Sequence, residues 1–241
     1  MKKLTKNKSS LSSHRPFSYL TLVTVLFASS LITANVIAVK IVTIFGFFVP
    51  AGIIVFPIAY IIGDVITEVY GFRQAKRIIW LGFGANLLFV TFASIAGSLP
   101  AAPFWHGSEA YSAILGYTPR LLVASFIAYL AGSFSNSYVL AVMKVITKSK
   151  YLWTRTIGST IVGEGLDSLV FIFIAFVGTI PGHSLITLIL TQWTMKVLYE
   201  TIATPLTYMV IHHIKTTEGV DVTDVTIPFN LFSTKSTKTH V

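Results

Sequence analysis

The chain has 241 residues, of which 54% are hydrophobic and only 11% are charged, and its formal net charge is +9. A soluble domain of this length would need far more charge on its surface, so the composition indicates an integral membrane protein. The sequence contains no cysteine, which excludes disulfides, thiolate zinc sites and iron–sulfur clusters.

Long apolar stretches predict an all-α protein with six transmembrane helices, because roughly 20 apolar residues in a helix cross the hydrocarbon core. In chain order these stretches cover about 17–39, 51–70, 78–98, 120–143, 157–178 and 185–212. The first exceeds the roughly 7–15 apolar residues of a signal-peptide core, so we expect it to be retained. The predicted organisation is a basic N-terminal tail at 1–16, a transmembrane domain at 17–213 and a mobile C-terminal tail at 214–241.

The positions of the basic residues predict the orientation. Fifteen of the 18 Lys and Arg residues lie in the two tails and in the loops that join the second span to the third and the fourth span to the fifth. With six spans, all of these segments lie on the same side of the membrane. Excess Lys and Arg mark the cytoplasmic side, so both termini are predicted to be cytoplasmic. Because topology explains the positive charge, no nucleic-acid partner is expected. Three spans in each half also allow a 3+3 inverted repeat, which is found in many transporters.

Charged side chains within the spans bear most directly on function. Five of the nine acidic residues lie there, namely Asp64, Glu68, Glu164, Asp167 and Glu200, together with a single cation, Lys196. Each charge near the centre of a bilayer costs on the order of 3 kcal/mol. Since one lysine cannot neutralise five carboxylates, some of them must be protonated, hydrogen-bonded to amides or hydroxyls, or exposed to a water-filled cavity.

Helical spacing predicts that these groups share one polar site. Residues three or four apart lie on one face of a helix, which groups the acids in pairs on the second and fifth spans. Gln192, Lys196 and Glu200 likewise form one stripe on the sixth span. At about 1.5 Å of rise per residue, these groups can meet Asn86 and Asn136 in one layer between the midplane and the cytoplasmic face.

Simpler interpretations of some of these residues stay open. Lys196 and Glu200 could form an ordinary ion pair along one helix. Asn86 and Asn136 could serve only to join helices by hydrogen bonds. Glu68 lies close enough to the interface to be an anchor at the membrane surface.

Sequence motifs separate the classes of function. The chain has no H-E-x-x-H, G-x-S-x-G or phosphate-loop motif, so neither an enzyme nor ATP-driven transport by this chain alone is expected. No catalytic residue, metal or cofactor is predicted. A channel would be expected to show a filter repeat, and none is present in the sequence. A transporter of a small solute is therefore favoured over a non-transporting membrane scaffold.

Three stretches carry a resemblance to a known family. They read FPIAYIIGDVITEVYGFRQAKRIIW, RTIGSTIVGEGLDSLVFIFIAFVG and KVLYETIATPLTYMVIHHIK. In combination they resemble the vitamin uptake transporter (VUT) family, also called the queuosine precursor transporters, from about residue 20 to 225. The family's motif positions fall on Asp64, Thr67, Glu68, Tyr70, Glu164, Asp167, Lys196, Tyr199 and Glu200.

The resemblance implies a multi-pass protein of the cell inner (plasma) membrane that takes up 7-deazaguanine bases, namely preQ0, preQ1 or queuine. Asp167 or Glu164 would bind the guanine-like edge of the base, since a carboxylate accepts from N1–H and the exocyclic amine together. Lys196 and Glu200 would form an ion pair that rearranges during transport. An aromatic face for the ring would come from Tyr70, Tyr199 or Trp193.

The sequence leaves the energetics and the assembly open. Transport could be coupled to protons through the carboxylates, or the base could enter downhill and be trapped in tRNA. Whether the chain forms a homodimer is also undecided. The alternative function is a substrate-binding subunit of an energy-coupling-factor importer, for which Ala34 and Ala38 have the spacing of a small-residue docking face.

Overall fold

Seven α-helices dominate the part of the chain that the computed structural model describes, residues 18–44, 47–116, 119–178 and 181–223. They are α1 (Ser18–Ile37), α2 (Phe56–Tyr70), α3 (Phe72–Ser98), α4 (Ser108–Leu115), α5 (Pro119–Ile146), α6 (Leu152–Phe176) and α7 (Gly182–Glu218). The prediction of a helical protein is confirmed. The predicted N-terminal tail at 1–16 and the predicted C-terminal tail beyond residue 223 lie outside the described residues.

Four helices of the described chain are long and apolar enough to cross a membrane: Tyr19–Ile37, Phe72–Ser98, Val123–Ile146 and Leu152–Phe176. They correspond to the first, third, fourth and fifth predicted spans. The second predicted span contains the 15-residue α2, which is only about 22 Å long. The sixth lies within the 37-residue α7, which carries Lys196 and Glu200. The count of six spans therefore stays a prediction.

A β-hairpin and a short 3-10 helix precede α2, and the sequence analysis did not predict them. Strands β1 (Ile41–Ile44) and β2 (Phe47–Pro50) pair antiparallel, with Val42 opposite Val49. The 3-10 helix at Ala51–Ile54 then packs on α1, where a Cβ at Gly52 would lie 2.7 Å from the carbonyl oxygen of Ala34. Because Ala34 is only 1% exposed, the chain itself covers the small-residue face that the importer alternative requires.

Two tight turns set the arrangement of the helices around the site. Gly71 alone separates α2 from α3, and its φ of 83° lies in the left-handed region that glycine tolerates. Residues 147–151 join α5 to α6 with Lys148, Ser149 and Tyr151 at positive φ. A turn this short makes α5 and α6 antiparallel neighbours.

Glycines allow α5 and α6 to approach closely. A Cβ at Gly163 on α6 would lie 2.5 Å from the Cβ of Asn136 and 3.0 Å from the carbonyl oxygen of Gly132, both on α5. A Cβ at Gly132 would lie 2.7 Å from the Cβ of Asp167. Only residues without side chains fit at both positions, so this glycine seam places the acids of α6 directly against α5.

The short α2 lies at the centre of the bundle. It contacts α1, α3, α5 and α7, and its buried apolar side chains belong to the hydrophobic core. Val65, Ile66 and Val69 are each at most 1% exposed. Asp64 and Glu68 of α2 are both 0% exposed, so the packed helices shield them from lipid.

Candidate functional site

Four carboxyl groups and one ammonium group lie buried between α2, α5, α6 and α7. Asp64 is 0% exposed, and the other three acids, Glu164, Asp167 and Glu200, are at most 5% exposed. Lys196 is 9% exposed. The structure thus brings together the acids that the sequence placed on three separate spans. We call this group the acid cluster.

Lys196 binds both acids of α6. Its Nζ donates a short hydrogen bond to Asp167 Oδ2 and lies 2.8 Å from Glu164 Oε2. Lys196 thus pairs with two acids of α6, whereas the sequence predicted that it pairs with Glu200 along α7. The physical reason is that two carboxylates three residues apart on a facing helix attract the ammonium group more strongly than one on its own helix.

Asp64 and Glu200 form the other half of the acid cluster. The side-chain amide of Asn136 donates to Asp64 Oδ1 at 2.6 Å. Asp64 on α2 and Glu200 on α7 are electrostatic neighbours, on two helices that pack against each other. Asp64 Oδ2 and Glu200 Oε1 accept no hydrogen bond from any N–H or O–H donor in the described part of the chain. Each of these two buried oxygens therefore lacks a hydrogen-bond donor among the described residues, which is rare in folded proteins.

Tyr60 is a site residue that the sequence analysis missed. It is 5% exposed, and Asp167, Glu164 and Glu200 are its electrostatic neighbours. The available signal was its position four residues before Asp64, which places the two on one face of α2. Tyr60 also lines a cavity of about 20 Å³ beside Ser133 and Asn136. That volume holds about one water molecule, and none of the four acids is among its lining residues. The burial of the acids themselves shows that the bundle is closed around the acid cluster.

Glu68 belongs to a separate ionic group. Its Oε1 lies 2.7 Å from Arg155 Nη2, 2.9 Å from Lys215 Nζ and 3.7 Å from Lys144 Nζ. These cations come from α5, α6 and α7, and the sequence analysis counted them only as markers of topology. Glu68 is 0% exposed, these cations surround its Oε1, and its Oε2 accepts no hydrogen bond from a described residue. We call the end of the bundle where these residues meet the basic end.

The end of α7 and the residues after it pack across the basic end. Tyr70 Oη donates to Glu218 Oε2 at 2.7 Å, and the backbone N–H of Tyr19 donates to Glu218 Oε1 at 2.8 Å. Lys144 Nζ donates to Asp221 Oδ1 at 2.6 Å, and the N–H of Val222 donates to the carbonyl oxygen of Val69 at 3.0 Å. We call residues 215–223 the terminal clasp. Helix α7 therefore continues to Glu218, past residue 213, the predicted end of the transmembrane domain.

Most of the helical region matches a known family: residues 50–210 fit the family model described as "Putative vitamin uptake transporter". The chain belongs to the vitamin uptake transporter family. A Bacillus subtilis (strain 168) protein named "Probable queuosine precursor transporter" is 29% identical over 180 residues, covering 73% of this chain and 78% of that protein. The Escherichia coli (strain K12) "Queuosine precursor transporter" is 29% identical over 135 residues, covering 56% and 58%. No solved structure matches.

Membership of the vitamin uptake transporter family confirms two predictions. The resemblance read from the three sequence stretches is correct, and the matched residues include the whole acid cluster. The family and the two relatives are transporters rather than enzymes, so this chain is not an enzyme.

The remaining predicted residues of this vitamin uptake transporter differ in their burial and contacts. Tyr70 lies at the basic end in contact with the clasp. Tyr199 is 40% exposed on the outside of α7. Trp193 uses its Nε1–H to bond the carbonyl oxygen of Ile161 at 3.0 Å, and Gln192 is only half-buried. Asn86 is buried on α3, and its amide oxygen accepts no hydrogen bond from the described residues.

Proposed function

We propose that the chain carries queuosine precursors, 7-deazaguanine bases such as preQ0, preQ1 or queuine, into the cell across the inner (plasma) membrane. One observation supports the proposal above the others: a buried lysine binds two carboxylates at the centre of a helical bundle that matches named queuosine precursor transporters. Buried charge of this kind is retained in membrane helices when it serves binding or transport.

The chemistry of the acid cluster suits a guanine-like edge. A 7-deazaguanine presents N1–H and an exocyclic amine side by side, and one carboxylate accepts from both. Asp167 is the carboxylate we assign to this edge, with Glu164 beside it. In the closed bundle Lys196 donates to Asp167 and forms an ion pair with Glu164, so a bound base competes with the lysine for Asp167. The displaced ammonium group is then available to O6 of the base, which needs a donor.

We further propose that α2 and α7 complete six crossings with the basic end in the cytoplasm. α7 extends about 55 Å, which exceeds the roughly 30 Å of the hydrocarbon core. Lys144, Arg155 and Lys215 all meet at one end, as the rule of positive charge on the inside requires. The chain has no cysteine, so single cysteines placed at each end can be labelled from either side. Labelling of basic-end positions from outside intact cells would contradict this orientation.

Complementation in cells tests the substrate. A strain that cannot make queuosine and lacks its own transporter is given this gene and supplied with preQ0, preQ1 or queuine in turn. Queuosine in tRNA is then measured. Modified tRNA with at least one base at low external concentration is the expected result. Failure with all three bases, with the protein present in the membrane, would contradict the assignment of substrate class.

Asp167→Asn tests the assignment of the binding residue. The amide keeps the shape but replaces an acceptor with a donor that opposes the edge of the base, so we expect uptake to be abolished while membrane insertion is kept. Glu109→Gln is the matched control, because Glu109 lies on α4, where no residue is buried. Normal uptake by a well-inserted Asp167→Asn protein would refute the role of Asp167.

A further inference from the structure

The hydroxyl group of Tyr60 lies beside Asp167, the carboxylate that the proposed function assigns to the base. Gly132 of α5 locates this contact, because a Cβ there would lie 2.8 Å from Tyr60 Oη and 2.7 Å from Asp167 Cβ. Both side chains are therefore packed against the same glycine. Tyr60 is 5% exposed, and a tyrosine hydroxyl carries its proton at neutral pH, so a hydrogen-bond donor is held at this point inside the bundle.

Asn136 lies one helical turn beyond Gly132 on α5, which is about 6 Å along the axis. Its amide nitrogen is committed to Asp64, donating to Oδ1 at 2.6 Å. Its amide oxygen is buried and accepts no hydrogen bond from any residue that the structure describes. Asn136 is 2% exposed, so this acceptor is held away from bulk water. An unused buried acceptor costs free energy unless a ligand or a water molecule donates to it.

Tyr60 and Asn136 also line the same cavity between α1, α2, α3 and α5. It has a volume of about 20 Å³, and the rings of Phe27 and Tyr129 form part of its wall. Each of the two residues thus contacts the cavity on one side and an acid of the acid cluster on the other. A void beside a side chain leaves it without packing partners there. The ring of Tyr60 can therefore shift toward the cavity when a base enters.

A 7-deazaguanine has a second polar edge that complements these two groups. N3, an acceptor, follows the exocyclic amine around the ring, and N9–H, a donor, comes next. The protein offers a donor, Tyr60 Oη, beside Asp167, and an acceptor, Asn136 Oδ1, one turn further along α5. The order of the groups in the protein therefore matches the order of the groups on the base.

We propose that Tyr60 and Asn136 bind the N3 and N9–H edge of the base, and that this contact selects the free base over forms substituted at N9, nucleosides included. The inference rests on the proposed function and on its assignment of Asp167. Tyr60 Oη donates to N3, and N9–H donates to Asn136 Oδ1. A substituent at N9 removes the donor and leaves the amide oxygen of Asn136 unpaired, which a binding site penalises strongly.

Competition between ligands tests this edge on the wild-type protein. Proteoliposomes that contain the full chain take up labelled preQ0, preQ1 or queuine by counterflow, and unlabelled analogues of the transported base compete. The 9-methyl form and the 3-deaza form should each compete at least about tenfold more weakly than the base itself, because each lacks one hydrogen-bonding group. Competition by either form at the same concentration as the base would overturn the proposal.

Tyr60→Phe tests the hydroxyl group with the ring kept. Competition by the base should weaken about tenfold, and competition by its 3-deaza form should not change, since that form has no N3 to accept from the hydroxyl. A purely structural effect would weaken both alike. Tyr129→Phe is the matched control, because Tyr129 is 6% exposed beside the same cavity but donates to the carbonyl oxygen of Ile79 at 2.9 Å. Identical results for the two variants would refute the role of Tyr60.

Asn136→Ala tests the acceptor through a ratio that does not depend on the overall rate of uptake. The variant loses its bond to Asp64 as well, so its rate alone decides nothing. The preference for the base over its 9-methyl form should fall to nearly equal competition, because the oxygen that reads N9–H is gone. A preference that stays at the wild-type value would refute the role of Asn136.

Counterflow also separates this inference from the proposed function. A well-inserted wild-type protein that shows no counterflow with preQ0, preQ1 or queuine would refute the proposed function, and the inference with it. Counterflow with one of these bases, together with equal competition by its 9-methyl form, would refute the inference alone.

Discussion

Two acids on one face of α2 have different roles because of what reaches them from other helices. Asp64 and Glu68 are separated by only about 6 Å along the helix axis. Asp64 meets Asn136 and Glu200, whereas Glu68 meets the side chain of Arg155. Spacing along one helix predicts a shared face, but only the packing of other helices decides which part of that face contacts cations.

Arg155 is expected to contribute to stability more than any other single cation at the basic end. Its guanidinium group donates to Glu68 Oε1 at 2.7 Å and to the carbonyl oxygen of Lys150 at 2.8 Å, and it is 1% exposed. Arg155→Met leaves a buried carboxylate with poorer compensation, so we expect a loss of about 3–5 kcal/mol, measured by unfolding in detergent. Arg77→Met, at an exposed position on α3, is the matched control. Equal stability of the two variants would contradict this role.

The sequence identified the candidate residues but not their partners. A charged side chain inside a bilayer has a high free-energy cost, and this cost was sufficient to identify the candidate residues, namely Asp64, Glu164, Asp167, Lys196 and Glu200. The same reasoning assigned Lys196 to Glu200, because only contacts along one helix are visible in a sequence. The cations that neutralise Glu68 lie 76 to 147 positions away along the chain, and no spacing rule connects residues at that distance.

At the scale of elements, the glycine seam between α5 and α6 determines how closely the acids of α6 approach α5. Gly163→Ala would place a methyl group 2.5 Å from Asn136 Cβ, and the helices must move apart to accept it. We expect a loss of about 1–3 kcal/mol in stability and a reduced rate of uptake, because the bond between Asn136 and Asp64 is disturbed.

Gly84→Ala provides the control for this prediction. Gly84 also lies inside a helix, α3, but a Cβ there meets nothing within 4 Å. The substitution should be neutral or should stabilise the helix by up to about 1 kcal/mol. Uptake and unfolding measured for both variants distinguish a packing effect from a general effect of glycine replacement. A Gly163→Ala protein that behaves like Gly84→Ala would show that the seam tolerates a methyl group.

Elements with long apolar runs were predictable, and those with mixed signals were not. α1, α3, α5 and α6 each contain a continuous apolar window, which identified them in the sequence. The hairpin at residues 41–50 is also apolar, and a short apolar run cannot be assigned to a strand or a buried helix by periodicity. The second predicted span begins at residue 51, where the structure has the 3-10 helix Ala51–Ile54, and α2 itself begins at Phe56.

At the scale of the whole molecule, the terminal clasp joins four helices at the basic end. Burial alone would raise the pKa of Asp221, but hydrogen bonds and charge from Lys144 and Lys215 outweigh it and hold that pKa below its usual value. A carboxyl group with a lowered pKa in the folded state stabilises the protein above its unfolded pKa of about 3.9. That contribution is lost as the pH falls through the lower folded pKa.

The sign of this effect gives a prediction for pH dependence. Wild type should be more stable than Asp221→Asn from neutral pH down to about pH 4, and the difference should shrink at lower pH as Asp221 is protonated. Unfolding of both proteins in detergent across this range measures the difference. A gap that stays constant through the acid range would show that the bonds to Asp221 do not depend on its charge.

The clasp also sets an order of events during synthesis. The backbone N–H of Tyr19 belongs to the first turn of α1, where no carbonyl oxygen of its own helix is available to it. Its acceptor, Glu218, is made 199 residues later. The ribosome must therefore add 199 further residues before the N–H of Tyr19 acquires this acceptor, and until then that end of the bundle stays unfinished in the membrane.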